Sequence, residues 1–122
     1  EQTNLVKSVA AEVELSRENL RVLALPEYEA YAEKEGDHAA KWETSILMEL
    51  RPDLVQMDRL GPQPEEPGEH KFHNDDPADD LYAIAGEDPR FFASPELGRK
   101  TVDEIVAYLS KAVEEELKRL TK

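Results

Sequence analysis

The sequence predicts an α/β domain. An amphipathic segment near the start is followed at once by a short, branched apolar run, which is how a helix feeding a buried strand reads. Two further amphipathic segments follow, the last of them long, as helices layered on a sheet would be. The 122 residues suffice for one small domain.

Taken in order, Leu5, Val6, Val9, Ala10 and Val13 recur at helical spacing and predict a helix over 3–16. Residues 20–25 (LRVLAL) predict a buried strand after Ser16-Arg17-Glu18-Asn19, stopped by Pro26. Residues 27–36 read as a loop or short helix ended by Gly36. A helix returns over 39–50 with Trp42, Ile46, Leu47 and Leu50 on its apolar side, and Arg51-Pro52 ends it. Residues 54–57 suggest a second short strand, and 82–85 a brief extended piece. Residues 61–80 carry Pro, Gly and acids in loop proportions, a stretch long enough to be functional or mobile.

The last element, 94–121, is the clearest. Ser94 is a good N-cap, Pro95 suits the first helical position, and Glu96 lies in the first turn. Leu97, Val102, Ile105, Val106, Leu109, Ala112, Val113, Leu117 and Leu120 mark one apolar stripe, and Lys118, Arg119 and Lys122 sit where the helix dipole favours positive charge. Three helices against one firm strand leave a sheet incomplete, since a buried parallel strand needs neighbours on both edges. With no internal repeat to supply them, the missing strands are expected on another polypeptide.

Composition excludes several roles. Fifteen basic against 28 acidic residues give a net charge of −13, which opposes binding to nucleic-acid phosphates and to anionic membrane surfaces. No apolar run approaches the length of a membrane span, and no leader is visible, so the expected location is the cytoplasm. Without cysteine there is no disulfide framework, thiolate nucleophile or cysteine-based zinc site. Because Glu1 is not methionine, the chain is expected to descend from a longer one.

The chemistry concentrates in Gly36-Asp37-His38-Ala39-Ala40-Lys41-Trp42-Glu43-Thr44-Ser45, running into Ile46-Leu47-Met48-Glu49-Leu50-Arg51-Pro52-Asp53-Leu54-Val55. A second block reads Gly86-Glu87-Asp88-Pro89-Arg90-Phe91-Phe92-Ala93-Ser94. Imidazole titrates near neutrality and suits proton transfer, and carboxylates suit hard divalent metals. Five residues on an ideal helix separate His38 and Glu43 by about 140°, so the two converge only if His38 lies in the loop entering the helix.

Together the blocks resemble the creatininase (creatinine amidohydrolase) family, with its acid-His-small-small pair, its Glu-Thr-Ser and its Arg-Pro-Asp-Leu-Val. Where the family often has Ala-Gly or Gly-Gly after the histidine, this chain has Ala39-Ala40. The resemblance covers nearly the whole chain and implies a three-layer α/β/α fold with a mostly parallel sheet, of which residues 1–122 would be the C-terminal half. It implies a metal-dependent hydrolase that opens a small polar ring at a cyclic amide C–N bond, using two divalent ions (zinc, manganese or iron). The ring-opening hydrolases of a diketo-inositol (inosose) are an alternative branch. Most metal ligands of the family belong to an N-terminal half, whose Glu-x-His pair, bridging Asp and His-Gly-Gly-Asn segment are missing here. Glu1 would follow that segment directly. Cleavage at an Asn–Glu junction, by cyclisation of the asparagine, is one origin of two halves folded together; a separately encoded half or a truncation is the alternative, and the resemblance implies a homo-oligomer of the assembled halves.

In this reading His38 is the general base or proton shuttle; the competing reading is a solvent-facing histidine at a helix start. Glu43 would ligate metal or orient a ligand, unless it is an ordinary exposed helix glutamate. Asp37 would hold substrate or orient His38, but serves equally as a helix N-cap. Trp42 would line the substrate pocket or pack in the core. His70, His73, Asp75 and Asp76 form the other cluster with metal-like chemistry, and a pocket-covering or contact loop is the competing reading. Arg90 would hold an anion or make a structural salt bridge. From a different class, a non-catalytic acidic interaction subunit also accounts for the charge and the incomplete ligand set.

Overall fold

The computed structural model describes residues 2–31, 37–67, 69–70 and 84–121. They form two compact units. One joins Glu1–Ala32 to Glu104–Lys122, and the other is Glu33–Asp103.

In the first unit, helix α1 (Gln2–Leu15) and a 3₁₀ turn (Glu27–Ala30) accompany the last turns of helix α4 (Pro95–Leu120). Side chains on the surface join these pieces. Lys7 Nζ meets Glu29 Oε1 at 3.3 Å, the Tyr108 hydroxyl donates to Glu29 Oε2 at 2.6 Å, and Arg21 Nε lies 3.6 Å from Glu116 Oε1. Ala10 is buried, but most of the apolar stripe on α1 is not: Leu5 is 67% and Val6 56% exposed. On α4, Val106, Val113, Leu117 and Leu120 are also exposed.

The buried strand expected at 20–25 does not form. A strand needs the backbone of a neighbour to answer its N–H and C=O groups, and among the described residues none pairs with this segment. Val22 and Leu23 are exposed, and the Val22 N–H is answered instead by the Glu14 carboxylate at 2.7 Å.

The second unit contains α2 (Lys41–Leu50), α3 (Pro89–Phe92) and the first turns of α4. The strand expected at 54–57 is replaced by two 3₁₀ turns, Pro52–Leu54 and Met57–Leu60. Proline's fixed φ suits the start of a helical turn. Leu54 N–H then reaches the Arg51 carbonyl at 3.0 Å, while the Arg51 guanidinium holds both Asp53 oxygens.

Strand pairing is slight and antiparallel. Strand β1 (Glu69–His70) lies beside β2 (Gly86–Glu87), with His70 opposite Gly86. A separate antiparallel bridge joins His38 to Ala85. The three-layer, mostly parallel sheet is thus not present among the described residues, because neither apolar run meets a parallel neighbour.

Apart from Ile84, the buried residues described in this unit are small or polar: Ala40, Ala85, Pro89, Ser45, Asp88, Gly98 and Thr101. Small residues let α2 and α4 approach closely. A Cβ added at Gly98 would stand 1.9 Å from the Ser45 carbonyl oxygen. Ser45 Oγ donates to the Lys41 carbonyl and accepts the Ser94 N–H at 3.0 Å. Ser94 Oγ in turn accepts the Leu97 N–H at 3.1 Å, the expected N-cap. No described helix is long and apolar enough to cross a membrane.

Candidate functional site

His38 lies three residues before α2, which satisfies the condition set by the helical geometry. Its backbone is held on both sides, its N–H donating to the Ala85 carbonyl at 2.7 Å and its carbonyl accepting the Ala85 N–H at 2.9 Å. The chain then turns through Ala39 at φ +49°. An L-residue in this left-handed region costs about 1–2 kcal/mol. The turn persists because both ends of Ala39 are tied: its N–H donates to Glu43 Oε2 at 2.8 Å and its carbonyl accepts from Thr44 Oγ1 at 3.1 Å.

Asp37 and Glu43 close this turn reciprocally. Asp37 Oδ1 accepts the Trp42 N–H at 3.0 Å and Oδ2 the Glu43 N–H at 2.8 Å. Asp37 is therefore a cap for the otherwise unanswered first amides of α2, and Glu43 reaches back to the Ala39 amide, in the manner of an enlarged capping box. Burial raises the Asp37 carboxyl above its ordinary value, against the opposing pull of the Glu43 and Trp42 amides.

The same Glu43 oxygen lies 3.7 Å from His38 Nδ1. Both side chains are about half exposed, so the pair faces solvent rather than the core. A carboxylate at this distance can orient the imidazole ring. Trp42 is partly buried, and Lys41 Nζ stands 4.9 Å from its ring centroid and 5.8 Å from that of Phe92. The ammonium is held there by Glu87 Oε2 at 2.7 Å.

The structure thus brings Asp37, His38 and Glu43 together beside Trp42. In β1 the backbone of His70 stands opposite Gly86, whereas His73, Asp75 and Asp76 lie outside the described residues. Arg90 forms a structural clamp. It holds both oxygens of buried Asp88 and donates to the carbonyls of Leu60 at 3.1 Å and Pro62 at 3.0 Å. The sequence offered an extended piece at 82–85 and a motif beginning at Gly86, but not that Ala85 and β2 stand against the His38 turn. The signal available in the sequence was Gly86, at φ +121°.

Among the described residues, no group of three or more His, Cys, Asp or Glu side chains could hold a metal. Both Asp37 oxygens are engaged by backbone amides and one Glu43 oxygen by Ala39. A divalent centre is therefore not assembled from these residues, and no catalytic step is derived through one.

No curated protein and no solved structure matches the chain significantly. A family model described as creatinine amidohydrolase does match, over residues 1–113, and so takes in the helix-turn-carboxylate site and the strand that braces it. Membership carries an α/β fold and an amidohydrolase-type activity at the level of the family, and the chain belongs to the creatininase family.

Proposed function

We propose that this chain supplies the proton-transfer side of a metal-dependent, ring-opening hydrolase whose natural substrate is a small, polar cyclic amide. The observation that carries this reading is the His38–Glu43 pair, 3.7 Å apart on a backbone fixed at both His38 and Ala39. In hydrolysis, the water oxygen bonds to the ring carbonyl carbon and the C–N bond breaks. The water proton passes to His38 and from it to the leaving nitrogen. Glu43, 3.7 Å from Nδ1, would orient the imidazole for both transfers. Trp42 would flank the substrate and Asp37 would hold the turn that presents His38.

The divalent ions (zinc, manganese or iron) would be held mainly by an N-terminal half supplied as a separate chain, with Glu43 the candidate ligand from this one. Exposed Leu5, Val6, Val113 and Leu117 support a partner of this kind, because apolar surface left in water is the usual mark of an interface.

Native mass spectrometry with metal analysis of the protein from its natural source tests the reading. A second chain and stoichiometric divalent metal are expected, with hydrolysis of creatinine or of an inosose lost in His38→Ala. A lone, folded, metal-free chain would instead favour a non-catalytic interaction subunit.

A further inference from the structure

We infer that residues 85–90 are the positioning element of His38, acting through Gly86 and the Asp88–Arg90 clamp. The inference rests on the reading of His38 as the proton carrier. Ala85, Gly86 and Glu87 lie against the His38 turn or α2, and Asp88 and Arg90 hold a fixed support. Ala85 exchanges both backbone hydrogen bonds with His38. Gly86 lies so close to the turn that an added Cβ would meet Ala40 Cβ at 3.0 Å and Asp37 Oδ1 at 3.4 Å. Glu87 holds Lys41, the first residue of α2, at 2.7 Å.

The support lies at the other end. Asp88, only 1% exposed, accepts the Arg90 N–H at 2.9 Å and holds its guanidinium. The guanidinium grips the carbonyls of Leu60 and Pro62. A planar guanidinium with several fixed donors can serve the carboxylate and the carbonyls together, which a lysine cannot. Arg90 thus anchors the strand that carries Ala85, and Ala85 sets the height of the His38 backbone. Glu43 is set through the Asp37 cap of α2 and its own bond to the Ala39 amide, and α2 is tied to the segment by the Lys41–Glu87 pair. The separation of His38 from Glu43 therefore depends on where residues 85–87 lie against α2, and a shift there changes it.

The test uses the chain purified with its natural partners, and Gly86→Ala as the main variant. Amide exchange and imidazole nitrogen–proton spectra form the first readout. The expected result is faster exchange at the His38 amide and shifted His38 ring signals, with α4 amides such as Val106 unchanged. The second readout is hydrolysis with creatinine as the probe. A fall in kcat of about 10- to 100-fold is expected from misplacement of a reacting group, with KM within about twofold. In the double variant with His38→Ala, the Gly86→Ala effect should vanish, because a residue acting through His38 cannot add to its loss.

If Gly86→Ala does not fold, Arg90→Lys carries the same test, with the same pattern in smaller degree. Unchanged His38 signals, or effects that add in the double variant, would overturn the inference and leave the segment a general structural one. If His38→Ala hydrolyses as well as the natural protein, or creatinine is not turned over, the functional reading fails, and the spectra alone decide the positioning.

Discussion

Around His38, polar groups are answered at short range by other polar groups. Two backbone bonds to Ala85, two to Asp37, one to Glu43 and the Arg90 grip on Leu60 and Pro62 fix a turn whose surroundings are small and buried. Along α1 and the distal turns of α4 the balance is reversed. Exposed ion pairs and a tyrosine–glutamate bond join the pieces, while Leu5, Val6, Val113 and Leu117 remain in water. Surface ion pairs contribute at most about 1 kcal/mol each, whereas a buried, hydrogen-bonded pair is costly to break. The first region has the build of a site held in one geometry, and the second leaves apolar side chains exposed.

Four experiments break or sharpen this contrast. The largest effect is expected for Asp88→Ala, which strips the partly buried Arg90 guanidinium of its buried carboxylate and should cost about 3–5 kcal/mol in denaturant unfolding. A loss below about 1 kcal/mol would mean that Arg90 is satisfied by the Leu60 and Pro62 carbonyls alone.

Gly98→Ala comes next. Its Cβ would collide with the Ser45 backbone, and helices α2 and α4 must separate to admit it. The expected loss is about 1–3 kcal/mol, even though alanine favours helix over glycine by up to about 1 kcal/mol. A gain in stability would show that the crossing is looser than its geometry.

In the other region, the double substitution Val113→Gln with Leu117→Gln should change stability by less than about 0.5 kcal/mol per site, as exposed positions do. It should nonetheless abolish association with a partner half, read by native mass spectrometry. Retained association would place the partner on another surface.

The smallest effect concerns pH. Hydrogen bonds from Tyr108 and Lys7 lower the Glu29 carboxyl below its ordinary 4.5, and Glu29 raises the Tyr108 hydroxyl above its ordinary 10.0. A depressed carboxyl stabilises the fold above its unfolded value and loses that effect as pH falls through its folded value. A raised phenol does the opposite, stabilising below 10.0 and losing its effect as pH rises through the folded value. Glu29→Gln should therefore melt slightly lower than the natural chain near neutrality, with the difference closing towards both extremes. A difference unaffected by pH would assign the effect to packing.

The helices were legible for a plain reason. Helical hydrogen bonds close within four residues, so spacing, caps and breakers decide them locally. Ser94, Pro95 and the Arg51-Pro52 stop all stand where expected. The strand at 20–25 was misjudged because a strand is completed by a partner that its own residues do not encode, and β-propensity reports fit to a half-buried surface rather than an intrinsic state. The turns at 52–60 were misjudged because a short apolar run has no period long enough to separate strand from 3₁₀ turn.

The sequence by itself determined the family, through Gly36 to Val55 and Gly86 to Ser94, together with the helices and the chemistry available at Asp37, His38 and Glu43. Only the tertiary structure decided what those groups do to one another. It made Asp37 a cap, set Glu43 beside Nδ1 of His38, and brought Ala85 and Gly86 against a turn more than forty residues away in the chain. The physical reason is the range of each interaction. Periodicity and capping act along the chain over a few residues, whereas a hydrogen bond or an ion pair is fixed by angstroms in space, and that distance exists only once the chain has folded.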